Sequence, residues 1–272
     1  LSAASSFASK FIFAGHNNHP RLYFMKSMNH PLWRDCAAAF LGALSFCFIS
    51  VSGAFADQAL SRTVGGIHFI SFIPETDRID GIPTTPADVA MERMVLAVET
   101  VVKKVPMARD RIAALQKKGD IEIYYDARHP RDVLATVSLA TYFEDYYDPA
   151  AGKRTFVILF GRAGIQWDAN HLASTIAHEL AGHAYQDMQG RLEGMTELDA
   201  ECEAYLVEEH AKQALDYDKT TDEAIALRNN MDHHWCDDFR RYTLEQDRAV
   251  STEWDELNPK LLTAFQAYQK AR

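Results

Sequence analysis

Strand-like runs occupy the part of this chain before Asp168, and everything beyond it reads helical. Thr63–Phe72 (TVGGIHFISF) is strand-like at its end. Ile121–Tyr125 (IEIYY), Thr136–Phe143 (TVSLATYF) and Thr155–Phe160 (TFVILF) follow, short runs rich in β-formers. Helical patterning then covers 169–186, 194–216, 221–231, 235–248 and 252–270. Strands first and helices afterwards predict an α+β fold: a small, mostly antiparallel sheet followed by a helical C-terminal half. Ahead of Ile121, Thr85-Pro86-Ala87-Asp88 starts a helix that runs to about Val105. Thr85 is its expected N-cap, Pro86 its first residue, and Asp88 sits at its positive end. Pro106 interrupts, and a second helix reaches Lys118. Asp148–Lys153 reads as a hairpin loop.

The chain has 272 residues, 47% of them hydrophobic, and a formal net charge of −10. It is too apolar for a disordered chain, and its acidity argues against a nucleic-acid partner. Ala37–Val51 (AAAFLGALSFCFISV) is an uncharged run, preceded by Lys26 and Arg34 and followed by Ala54-Phe55-Ala56. A basic flank, a short apolar core and an A-x-A end read as a secretory signal peptide over 25–56. Residues 1–24 then read as an upstream extension, and 57–272 as a single domain without stable membrane insertion. Removing Lys10, Arg21, Lys26, Arg34 and Asp35 takes the charge from −10 to −13. The expected location is secreted or periplasmic. Two cysteines remain, Cys202 and Cys236, and an exported pair is a candidate disulfide.

The chemistry lies in Ser174–Gln186 (STIAHELAGHAYQ), which contains His178-Glu179-Leu180-Ala181-Gly182-His183. Two histidines four apart on a regular helix stand about 40° apart around its axis and both face one ion. A glutamate after the first takes a proton from water and later returns it. Here the histidines are five apart, about 140° on a regular helix. A π-bulge absorbs one extra residue, and Gly182 eases it locally; alternatively the helix loosens at Gly182 and His183 swings back. A third ligand from the next helix completes such a site. Glu197, Glu201 and Glu203 are the candidates, and helical periodicity does not separate them.

HELAGH resembles the H-E-x-x-x-H motif of the dipeptidyl peptidase III family, whose usual form is HELLGH. That family's second motif, E-E-C-R-A-E, binds zinc through its second glutamate. Ala200-Glu201-Cys202-Glu203-Ala204-Tyr205 is similar. Glu201-Cys202 falls on the ligand and its following cysteine, and Ala204 on the alanine. Ala200, Glu203 and Tyr205 replace the motif's first glutamate, arginine and last glutamate. The resemblance spans 178–183 and 200–205 of a chain much shorter than that family's members. It implies Zn²⁺ held by His178, His183 and Glu201, with Glu179 as general base. The segment also resembles Glu-zincin peptidases in general.

Further candidates surround this core. His233 and His234 precede Cys236. A bridge to Cys202 would bring them close to Glu201, where either could hydrogen-bond an oxyanion. Tyr185 and Tyr205 suit the same role. His171 shares the face of His178 and reads as a helix-start residue. Asp199 is a candidate to orient a ligand histidine through its free N–H. Thr155–Phe160 is either an edge strand for a peptide substrate or an internal strand. The sequence thus predicts an exported zinc-dependent hydrolase, a metallopeptidase acting on a peptide or protein. The rival reading, motivated by the histidine spacing, is a catalytically inactive metallopeptidase-like binding protein.

Overall fold

The computed structural model describes residues 58–129, 140–143, 147–148, 153–246 and 260–272. The upstream extension, the signal peptide, the first half of the run 136–143 and the start of the helix 252–270 lie outside the described residues.

The sheet begins with β1 (Ala59–Val64) and β2 (Ile67–Phe72), an antiparallel hairpin. Gly65 and Gly66 form its two-residue turn, both at positive φ, the conformation this loop length requires. A small ribbon of β3 (Arg78–Ile79) and β4 (Ile82–Pro83) follows. Next come α1 (Ala87–Lys104) and α2 (Pro106–Gln116), then β5 (Gly119–Tyr125), β6 (Ala140–Phe143), β7 (Tyr147–Asp148) and β8 (Lys153–Phe160). The strand order is β1-β2-β5-β8-β6, with β7 also on β8. Pairing is antiparallel at β1–β2, β6–β8 and β7–β8, and parallel at β2–β5 and β5–β8. Parallel neighbours need a crossover, and α1–α2 supplies the one between β2 and β5.

Register aligns the core in rows: Ile67–Ile121–Phe156 and Phe69–Ile123–Ile158, all buried. α1 adds Ala90, Met94, Ala97 and Val101, spaced by four, three and four as one helical stripe. The helix starts one residue later than its sequence signal. Pro86 occupies the cap, and the Thr85 N–H donates instead to the Tyr125 hydroxyl at 2.9 Å. β8 lies between β5 and β6, so Thr155–Phe160 is an internal strand; its all-apolar character follows from that position. The outermost strand on that side of the path is β6.

The helical half opens with α3 (Ala169–Ile176), a π-helical segment Ala177–Ala184 and α4 (Tyr185–Met188). Asp168 caps α3, accepting from the N–H groups of Asn170 and His171. α5 (Glu197–Ala214) packs along the π segment. α6 (Asp222–Asn230), a wide turn Met231–Trp235, α7 (Asp237–Gln246) and α8 (Lys260–Ala271) complete the fold. Phe239 of α7 meets Phe265 and Tyr268 of α8 with ring centres 5.0 and 5.5 Å apart. A disulfide joins Cys202 of α5 to Cys236, 34 residues on, and both sulfurs are buried. Replacing both cysteines by alanine is expected to cost about 2–4 kcal/mol, since the bridge restricts the unfolded chain. Denaturant melts of the two proteins measure it.

Candidate metal centre

The five-residue gap between the histidines sets the backbone. Residues Ala177–Ala184 hydrogen-bond as a π-helix, in which residues five apart come into line. His178 and His183 therefore point the same way, their ring centres 4.9 Å apart. Of the two backbone routes open to the sequence, the structure takes the π-bulge. A wide turn frees carbonyls, and the Arg111 guanidinium donates to that of Ala181 at 2.6 Å while lying 4.6 Å over the Tyr185 ring. Gly182 lets α5 approach. A Cβ there would stand 2.9 Å from the Ala204 Cβ and 3.0 Å from its Cα. Gly182→Ala is expected to destabilise by about 1–3 kcal/mol through overpacking, with recovery in Gly182→Ala/Ala204→Gly; thermal melts measure both.

Three side chains converge. The Nε2 atoms of His178 and His183 are 3.2 Å apart, and each lies 3.5 Å from a Glu201 carboxylate oxygen. Among the described residues this is a cluster able to hold a metal ion. The donor set fits one. Ligand bonds of 2.0–2.1 Å in a tetrahedron separate donors by about 3.3 Å, close to the separations seen. Two imidazoles and one carboxylate also suit a borderline-soft divalent ion.

Outer partners fix both rings. The His178 Nδ1 is 3.1 Å from Glu208 Oε2 and the His183 Nδ1 is 3.3 Å from Gln186 Oε1. A carboxylate or amide oxygen only accepts, so each Nδ1 carries the proton and each Nε2 faces the cluster. Gln186 is held in turn by the Ala200 carbonyl at 3.0 Å and by Glu203. Burial works against charge on His178, but Glu201 and Glu208 outweigh it and raise its pKa well above the usual imidazole value. Burial also opposes charge on Glu201, yet the two histidines hold its carboxyl far below the ordinary range.

Glu179 is 6% exposed and accepts from the Tyr142 backbone N–H of β6. Burial pushes its pKa up, against the pull of both histidines. The Tyr205 ring packs 4.7 Å from His178, and burial with the neighbouring carboxylates raises its hydroxyl pKa. His233 and His234 are exposed on the wide turn. The His234 ring lies tilted against Trp235 with centres 4.4 Å apart, and Trp235 lies tilted against Tyr205 at 5.9 Å.

The other acidic candidates are placed elsewhere. Glu203 is fully buried and binds Arg191 through both oxygens, at 2.8 and 2.9 Å. Glu197 is exposed at the start of α5. Asp199 accepts from Tyr268 at 3.2 Å and Arg272 at 3.0 Å; Glu208 and Gln186 orient the histidines instead. His171 is a helix-start residue, its Nδ1 2.7 Å from the capping Asp168 and its Nε2 hydrogen-bonded to the Tyr217 hydroxyl. Glu208 was open to sequence reasoning, since it follows Glu201 by two helical turns; Gln186 carried no comparable signal. No family model, curated protein or solved structure matches this chain.

Proposed function

We propose that the chain is a zinc-dependent hydrolase, and within that class a metallopeptidase. The convergence of His178 Nε2, His183 Nε2 and Glu201 at 3.2–3.5 Å carries the reading. The π segment supports it by absorbing the spacing that motivated a non-catalytic alternative. The resemblance of 178–183 and 200–205 to a peptidase motif pair favours peptide over other substrates. The disulfide favours an oxidising compartment, as a secreted or periplasmic protein would occupy.

Zinc held by these three residues would supply Lewis acidity and bring the pKa of a water toward neutrality. Glu179 would take a proton from the water that adds to the carbonyl and pass it to the nitrogen released as the C–N bond breaks. A carboxyl whose pKa burial has raised binds the proton well enough to carry it between the two steps. Tyr205 keeps its proton across the physiological range and donates to the developing oxyanion. His233 and His234, exposed on the turn that carries Trp235, are further candidate donors to the substrate.

The test is compositional and functional. The purified protein is expected to hold about one zinc per chain by elemental analysis. It is expected to cleave members of a peptide library, to stop on chelation and to resume on zinc addition. A preparation that takes up no zinc at neutral pH would defeat the reading.

A further inference from the structure

We propose that Glu208 and Lys212 form a positioning unit for the metal centre. Glu208 fixes the His178 ring with Nε2 turned to the ion, and Lys212 holds Glu208 in place. The inference rests on the zinc-binding reading above.

Each oxygen of Glu208 has its own partner. Oε2 lies 3.1 Å from His178 Nδ1, and Oε1 lies 3.0 Å from Lys212 Nζ. Lys212 also reaches Glu209 at 3.2 Å. The side chains are 10% exposed at His178, 13% at Glu208, 10% at Lys212 and 9% at Glu209. Two carboxylates and one ammonium out of water are costly, and apolar residues would fill the same space at least as stably. The arrangement makes sense through what it does to His178.

Sequence register shows how one helix does this. Glu201, Glu208 and Lys212 are seven and then four residues apart, one stripe along α5. The same element therefore supplies the third ligand, the carboxylate that orients the first, and the cation that anchors that carboxylate. His183 is treated differently, because a neutral amide, Gln186, receives its Nδ1–H. An imidazole that donates to a carboxylate is the more basic ligand. The two histidines are thus unequal, and His178 is the stronger donor.

Zinc affinity measures this without any assay of hydrolysis. The full chain and its variants are titrated with zinc against a chromophoric chelator. Glu208→Ala is expected to weaken zinc binding 10- to 100-fold. Glu208→Gln keeps an acceptor and loses the charge, and should fall between Glu208→Ala and the parent. It also serves if the alanine variant fails to fold, which the thermal midpoint of the metal-free forms reports. Glu209→Gln alters the other carboxylate on Lys212, which does not touch His178, and should stay within threefold of the parent. Zinc binding by Glu208→Ala and Glu208→Gln equal to the parent's would overturn the inference. So would an equal loss in Glu209→Gln, which would mean a general field rather than an oriented ring. A parent chain that binds no zinc would instead defeat the reading on which the inference rests.

Discussion

Glu179→Gln is expected to keep its zinc and to lose hydrolysis by about 10²–10⁴-fold, the usual contribution of a positioned base. That corresponds to about 3–5 kcal/mol of barrier. Glu179 is not among the three converging ligands, so the ion's donors are untouched. Glutamine matches its shape and still accepts from the Tyr142 N–H, so β6 should stay against the π segment. Only the capacity to take up a proton is gone. Zinc content and kcat/KM of the two proteins, taken together, separate base from ligand. Unchanged turnover would assign proton transfer to another group.

Arg191→Met acts on stability. Glu203 is fully buried, and Arg191 engages both its oxygens. Removing one member of such a pair leaves a charge without compensation and costs about 3–5 kcal/mol, a large part of a typical 5–15 kcal/mol. The Arg191 side chain is 29% exposed and Arg111 also acts on Glu203, so the lower end of that range is expected. Adding Glu203→Gln should recover most of the loss. Denaturant midpoints test both, and a change under about 1 kcal/mol would show the charge to be screened by water. Glu203 also holds Gln186, so Arg191→Met should loosen His183 and lower zinc affinity as a second effect.

The order of elements and the ligand helix were legible because they rest on local periodicity and on residue types. The run Thr155–Phe160 shows the limit. An apolar strand has the same composition at an edge or inside a parallel sheet, and only the pairing with β5 and β6 places it. Thr85 shows another, since a hydroxyl that caps in isolation was displaced by the Pro86 φ and by a backbone bond to Tyr125. At the candidate metal centre, residue type and spacing picked out His178 and His183, which the structure brings together. The choice among Glu197, Glu201 and Glu203 needed Arg191, whose pull on Glu203 depends on how the 189–196 connection folds back. Asp199 failed as the orienting acid for the same reason: its partners, Tyr268 and Arg272, come from the far end of the chain.

The wide turn at 177–184 has a bearing on any attempt to regularise the helix. Deleting Ala181 would give the four-residue histidine spacing and let ordinary i→i−4 bonding resume. The wide turn absorbs that residue, so the stretches on either side would keep their phase. Tyr185 would stay with Arg111, Gln186 with the Ala200 carbonyl, and Asp187 with Arg154 and Tyr142. The surplus residue thus costs the rod no register, and what it sets is the local path of the backbone between the two histidines.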